Sequence, residues 1–428
     1  MHHDIEIGSV EGIASEGQGI VRHDGRVTFI PFTAIGDTVR YQIDHHKKKY
    51  ATATLLDVID PSPNRVVPPC RYYGTCGGCQ LQHVDYSTQL EYKRMWIENA
   101  LRKIGGQADI VVPPVTPSNI EWSYRRRISL QLSPNEKGYR AGYITVDNKS
   151  LLEIDSCPIF TSDDDPILKE LHSIAAKFHP ACDESAKATI LKCNNNKYLL
   201  HFHFKVMPKN GEEVCSNAVK NYDNLNGIVA SSPKTTFSYG SIETNILIDK
   251  LNISFSPKTF VQNHPEQSLN IYRLVENYAA KIRPASTLDL YCGIGITSLL
   301  IARHGKHITG IEFNKQSVAF AKSNAQHNGI ENATFIADMA EKALPSCLKK
   351  GKPDLIVINP PREGVAPDVL QLLCKSKARS LIYISCMPST LARDLKALCE
   401  AGYKIQSITP FDMFPQTIHV ETVIILEL

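Results

Sequence analysis

No stretch of this chain is apolar for long enough to cross a membrane. The longest runs, such as Leu355–Ile358 and Val423–Leu426, last a few residues, against about 20 for a spanning helix. Neither an internal repeat nor a low-complexity tract is present, which excludes collagen-like and repeat architectures. The charge is nearly balanced: 47 Lys and Arg against 44 Asp and Glu leave +3. That excludes a histone-like polycation and leaves nucleic-acid binding to local patches. The opening MHHDIEIGSVEG has acidic residues and no apolar core, unlike a secretory signal, so a cytoplasmic protein with no membrane contact is expected.

What is there is ordinary globular composition, 43% hydrophobic and 21% charged over 428 residues, enough for two or three domains. Twelve cysteines without an export signal read as reduced thiols, so any cluster among them points to metal binding or catalysis.

Residues 1–58 predict a small all-β barrel. Short β-branched strands (Ile5–Ile7, Gly19–Arg22, Arg26–Ile30, Asp37–Ile43, Tyr50–Leu56) flank Asp24-Gly25, a dipeptide suited to a type I′ hairpin turn. Its basic loop His45–Lys49 is either a phosphate contact or a solvated turn. Four prolines within residues 61–69 predict a linker. A helix is expected over 87–104, with Leu90, Met95, Ile97 and Leu101 as its apolar positions. Residues 123–255 read as mainly extended, and Tyr198–Lys205 alternates as a half-buried antiparallel strand should. Within them, Tyr124-Arg-Arg-Arg127 is either an RNA clamp or a solvated edge.

Beyond 256, strands and helices alternate, the pattern of an open doubly wound α/β sheet. Asp289–Gly295 (DLYCGIG) falls at the first strand-to-helix turn, where Gly293 and Gly295 let the backbone approach a ligand. Glu312 ends the next strand, placed to accept the hydroxyls of a ribose, and Asp338 follows the third, placed to meet an adenine. Both NAD and S-adenosyl-L-methionine fit that pattern. Asn359-Pro-Pro-Arg362 closes the fourth strand, and its amide alone favours methylation of an exocyclic amine. Cys386 lies at the end of the fifth strand, just before a helix starting near Ser389, where a helix N-terminus is expected to lower its pKa. A thiol is superfluous for amine methylation but is required at uracil C5, where addition at C6 activates an unreactive carbon. Glu421, in His419-Val-Glu-Thr-Val423, is then the candidate base, or else an exposed strand carboxylate. Cys70, Cys76 and Cys79, with Cys157 as a possible fourth, suit either zinc or an iron–sulfur cluster.

Cys386 in SCMPSTLARD, Glu421 in HVETV, DLYCGIG, NPPREG and Phe260-Val-Gln262 together resemble the RNA (uracil-5-)methyltransferase family. The N-terminal module resembles a TRAM domain, and the cysteine pattern resembles the bacterial 23S ribosomal RNA branch. The resemblance implies Cys386 as nucleophile and Glu421 as base. It places Gln262, Tyr291, Glu312, Asp338 and Asn359 around the cofactor and base pocket, and a [4Fe–4S] cluster on Cys70, Cys76, Cys79 and Cys157. RNA is the implied partner, most readily 23S rRNA with its target uridine flipped out of the stack, and no obligate protein partner is expected. The domain plan is a TRAM/OB-like β-barrel over 1–58, a central β-rich α+β domain over 59–255 holding cluster and RNA, and a class I (Rossmann-like) methyltransferase domain over 256–428. The helix near 87–104 is expected to pack on that last domain. Two positions depart from the family pattern: Asn359 replaces the usual Asp, and His264 stands where Asn is usual. The rival readings are an exocyclic-amine methyltransferase and a non-catalytic iron–sulfur RNA-binding protein.

Overall fold

The computed structural model describes residues 4–428 apart from Asp24. Strands β1 (Ile5–Ser9), β2 (Gly12–Ile13), β3 (Gly19–His23), β4 (Arg26–Ile30), β5 (Thr38–His46) and β6 (Tyr50–Asp60) form a sheet in the order β1-β5-β6-β4-β3-β2. It curls around Val21, Ile30, Val39, Tyr41 and Ala51. The curl brings β1 and β3 together so closely that a Cβ at Gly8 would lie 2.5 Å from Val21. The hairpin turn expected at Asp24-Gly25 falls partly outside the described residues, while Gly25 has φ +74°, as such a turn requires. Strand β6 runs to Asp60, four residues past the expected strand end at Leu56 and two past the expected module boundary at 58. The proline-rich segment that follows is pinned: buried Asp37 accepts from the Ser62 backbone N–H at 2.9 Å and pairs with Arg65 at 2.9 Å.

Helix α1 (Tyr86–Lys103) starts on an Asp85 cap that accepts from the Thr88 backbone N–H at 3.0 Å. Its buried face carries Tyr92, Trp96, Ile97 and Leu101, whereas Leu90 and Met95 are half-buried. Ile97 and Leu101 share an apolar cluster with Leu391 and Leu395 far along the chain.

Strands β7 (Arg127–Asn135), β8 (Gly138–Ile144) and β9 (Leu151–Leu152) precede helix α2 (Ile167–Ala175). Strands β10 (Ala186–Lys192) and β11 (Tyr198–His203), helix α3 (Gly211–Asn221), β12 (Leu225–Ser231) and β13 (Thr236–Gly240) complete a second sheet, ordered β13-β12-β11-β10-β7-β8-β9. Both helices pack on one face, through Leu171 and Val214 among others. The half-buried antiparallel strand expected at 198–205 is corrected here. Strand β11 is antiparallel to β10 but parallel to β12, and Tyr198, Leu199, Leu200 and Phe202 are all buried. Its position between two strands, with cover on both faces at Leu199 and Leu200, overrides the alternation. A hairpin of β14 (Thr244–Ile248) and β15 (Leu251–Phe255) follows.

Helix α4 (Pro265–Ile282) leads into β16 (Ser286–Leu290), α5 (Ile296–Ala302), β17 (His307–Glu312), α6 (Lys315–His327), β18 (Ala333–Ala337), α7 (Ala340–Lys349), β19 (Leu355–Ile358), α8 (Pro367–Ser376), β20 (Ser380–Ser385), α9 (Pro388–Glu400), β21 (Lys404–Phe411) and β22 (Glu421–Glu427). The strand order is β18-β17-β16-β19-β20-β22-β21, parallel except for β22, which is antiparallel to both neighbours. The order reverses beside β16, so ligands are expected outside its carboxyl edge. Among the described residues no helix is long and apolar enough to cross a membrane.

Candidate active site

The sheet register gathers the singled-out residues on one edge. Leu290 pairs with Ile311 and Ile358, and Glu312 with Ala337. Tyr291, Glu312, Asp338 and Asn359 therefore emerge together at the carboxyl ends of β16, β17, β18 and β19. Ser385 pairs with Thr422, so Cys386, just after β20, and Glu421, opening the antiparallel β22, reach that same edge from opposite directions.

The glycine loop is shaped to expose its backbone there. Tyr291, Gly293 and Gly295 all have positive φ, at +63°, +55° and +85°. A Cβ at Gly295 would lie 3.0 Å from Ala321 and Phe335, while one at Gly293 would meet nothing within 4 Å. Gly295 is thus required by packing, and Gly293 faces open space. Glu312 holds the loop, accepting from the Gly293 N–H at 3.2 Å and from the Asn314 N–H at 2.8 Å. Behind it, wholly buried Asp289 accepts from Ser298 Oγ at 2.6 Å, and burial pushes its carboxyl up to about 7. Asp338 is half-buried and caps the Met339 N–H at 2.8 Å. Asn359 is half-buried, and its N–H donates to Leu290 O at 3.3 Å. Gln262 is buried next to Val261, which shares an apolar cluster with Cys292 and Ile294 of the glycine loop. Phe260, Phe313 and Met339 are exposed although large and apolar. Each stands within two residues of a candidate cofactor contact.

His264 takes a structural place. It caps α4 through Nδ1, its Nε2 meets Ser118 Oγ at 2.7 Å, and its ring stacks on Tyr124. Asn263 does not point to that cap; its Oδ1 accepts from the Arg127 N–H at 3.0 Å.

At Cys386 one expectation is overturned. The thiol is pushed up to about 11, by burial first and then by the charge of Glu421, with Arg362 pulling the other way. The helix that follows opens with Pro388, so one N–H is missing from the expected dipole end. Glu421 is equally unlike an exposed strand carboxylate: it is 3% exposed, and burial raises it to about 8, Arg362 again opposing. Arg362 was not singled out by the sequence, although it completes the quoted NPPR. It donates from Nη2 to His419 Nε2 at 3.0 Å. Its loop is fixed from α9, where Thr390 Oγ1 donates to Arg362 O at 3.1 Å and Arg393 Nη2 to Glu363 O at 3.1 Å.

The cysteines form a second centre. Cys70, Cys76, Cys79 and Cys157 line one small cavity of about 30 Å³ with Tyr72, Tyr143 and Arg125. Burial raises the Cys79 thiol to about 11 and that of Cys157 to about 12, and the charge of Cys79 adds to the latter. Among the described residues, no three groups lie close enough to hold a single metal ion. Arg125 Nε is buried in that wall without a hydrogen-bond partner. Its neighbours Arg126 and Arg127 are not an open clamp: Arg126 lies over the Phe255 ring and Arg127 donates to Thr259 O at 2.6 Å. Both readings of the Tyr124–Arg127 run give way to an internal tether.

Comparison with known proteins agrees with this layout. The family described as tRNA (Uracil-5-)-methyltransferase matches residues 230–428, and the TRAM domain of tRNA (uracil(54)-C(5))-methyltransferase matches residues 7–64. An uncharacterized RNA methyltransferase of Protochlamydia amoebophila is 42% identical over all of this chain and 98% of its own. Another, from Halalkalibacterium halodurans, is 30% identical over all of this chain and 97% of its own. Among solved structures, Pyrococcus abyssi tRNA (uracil-54, C5)-methyltransferase with S-adenosyl-L-homocysteine superposes with a TM-score of 0.77 at 25% identity. The match covers 98% of this chain and 99% of that one.

Proposed function

The chain belongs to the RNA (uracil-5-)methyltransferase family, and on that premise we propose that it methylates C5 of a uridine in RNA, using S-adenosyl-L-methionine. The observation that carries this reading is the meeting of Cys386, Glu421 and Arg362 at the edge that also holds the glycine loop. Methylation of an exocyclic amine would leave a thiol and a buried carboxyl there without work.

In this reading Gly293, Glu312 and Asp338 hold the nucleoside of the cofactor, with Gln262, Tyr291, Gly295 and Asn359 lining the remainder. Phe313 and Met339, exposed beside Glu312 and Asp338, would be available to its base. The sulfonium supplies an electrophilic methyl group. Cys386 Sγ, once deprotonated, bonds to uracil C6, and the electrons of the C5–C6 double bond pass to O4 as an enolate. C5 then takes the methyl group, and the sulfonium becomes a thioether. Glu421 accepts the C5 proton, the C5–C6 double bond re-forms, and the C6–S bond breaks to return the thiolate. Arg362 favours both anions, which offsets the burial that holds each group protonated.

For the second centre, four thiols line one cavity, a donor set that suits either zinc or an iron–sulfur cluster, and the resemblance of the cysteine pattern favours the cluster. We assign a [4Fe–4S] cluster to Cys70, Cys76, Cys79 and Cys157. When bound it would supply a structural tie rather than redox chemistry, and Arg125, the cation in that wall, would offset part of its negative charge.

By the cysteine pattern the substrate is 23S rRNA. The alternative is tRNA, favoured by the superposition on the tRNA enzyme. Incubating the protein with S-adenosyl-L-methionine and separate 23S rRNA and tRNA transcripts, then digesting to nucleosides, decides both points. The expected product is 5-methyluridine from rRNA. The same product from tRNA alone selects the alternative, and a methylated amine in its place overturns the reaction.

A further inference from the structure

The nine residues between β21 and β22, 412–420, form the approach to Glu421 and carry His419. They are held by α1, by the segment just before β7 and by the cysteine segment. Lys93 of α1, fully buried, donates to Asp412 Oδ1 at 2.6 Å and to Phe414 O at 3.0 Å. Tyr124 Oη donates to Pro415 O at 3.0 Å. The densest contacts converge on Gln416. Its side-chain Oε1 accepts from Gln89 Nε2 at 3.0 Å while its N–H donates to Gln89 Oε1 at 3.0 Å. Its carbonyl accepts from the N–H groups of Gln80 and Leu81 at 3.2 and 3.1 Å, immediately after Cys79. Gln416 is 3% exposed and has φ +70°, a left-handed conformation that its side chain disfavours. A non-glycine residue held there against strain, by five hydrogen bonds to sequence-remote partners including one from its Nε2 to Glu121 Oε2 at 3.5 Å, is over-determined by its surroundings.

We propose that Gln416 is a positioning residue for proton abstraction: it locks the loop that delivers Glu421 and His419 to the cysteine segment and to α1. The proposal rests on Glu421 being the base. From Gln416 the chain passes through Thr417, whose Oγ1 accepts from the His419 N–H at 3.3 Å, to His419 on Arg362 and then to Glu421. A loosened lock moves the carboxylate relative to C5 and leaves the cofactor edge of β16 to β19 in place. Methyl transfer precedes proton removal, so the methylated adduct on Cys386 accumulates.

The test compares wild type with Gln89→Met, which keeps length and helix propensity but removes the reciprocal amide bonds, and Gln416→Gly, which keeps the left-handed backbone. RNA transcribed with [5-3H]UTP reports C5–H loss, denaturing gels report methylated RNA bound to protein, and calorimetry reports S-adenosyl-L-homocysteine affinity. The expected result is slower tritium release, on the order of tenfold to a hundredfold as for an ångström-scale misplacement. It comes with a trapped methylated adduct and unchanged cofactor affinity. Tritium release equal to wild type overturns the proposal, as does a loss of cofactor affinity and melting temperature together with no adduct. If wild type itself gives no adduct with 5-fluorouridine-substituted RNA, addition of Cys386 to C6 has failed as a reading, and with it both the C5 proton abstraction assigned to Glu421 and the lock.

Discussion

Arg362 Nη2 lies 3.0 Å from His419 Nε2, joining the loop after β19 to the loop before β22. Burial, then the Arg362 charge, pushes His419 down to about 3, so the imidazole is neutral and accepts from the guanidinium. The contact holds a cation whose charge acts on both Cys386 and Glu421, which makes Arg362 the group whose removal moves two titrations at once.

Replacing Arg362 by Met therefore shifts the pH profile. Arg362 lowers both the Cys386 and the Glu421 values, so without it both rise. The ascending limb of kcat/KM moves to higher pH, and at neutral pH activity falls by about 10²-fold or more, as for loss of one stabilising donor. An unchanged limb would remove Arg362 from the reaction.

Stability should depend on Glu421 with a definite sign. Its carboxyl rises from an ordinary 4.5 to about 8 in the folded protein. The stabilisation is fully present below pH ~4.5 and is lost as pH rises through about 8, because the unfolded chain then binds fewer protons. Glu421→Gln lacks that loss. Its urea midpoint, measured from pH 5 to 9, should fall less than that of wild type while turnover is abolished.

Gly364 should tolerate no side chain. It has φ +78°, and a Cβ would lie 2.6 Å from Arg393 Nη2 and 2.7 Å from Asp394 Oδ2. Gly364→Ala is expected to cost about 1–3 kcal/mol, read as a lower urea midpoint at constant m, with weakened methylation because the same loop carries Arg362.

The cysteine centre makes an analytical prediction. Protein purified without oxygen should carry about four iron and four acid-labile sulfide per chain. Cys157→Ala should lose them, whereas one zinc per chain in wild type would reverse the assignment.

The catalytic sheet was readable in the sequence because buried parallel strands are short apolar runs closed by turn residues. The run Leu355–Ile358 is a strand buried throughout, and Glu312 and Asp338 sit at and just after the ends of the second and third strands, as expected. Burial patterns set by distant chain were not readable. Lys93 looks like a solvated helix lysine until Asp412 arrives from 319 residues away. Cys386 looks like a helix-end thiolate until burial, and then the charge of Glu421 on β22, push its thiol up. Strand β11 gains its parallel neighbour only through the crossover by α3.

The central claim is that Cys386 bonds to uracil C6 during methylation. The most direct measurement is mass spectrometry of the protein incubated with S-adenosyl-L-methionine and 5-fluorouridine-substituted 23S rRNA, followed by nuclease digestion. Fluorine at C5 leaves Glu421 no proton to remove, so the account predicts a methylated fluorouridine bound to the Cys386 peptide and absent in Cys386→Ala. Methylated uridine formed in ordinary RNA, with no adduct in the fluorinated RNA and no loss in Cys386→Ala, would contradict it.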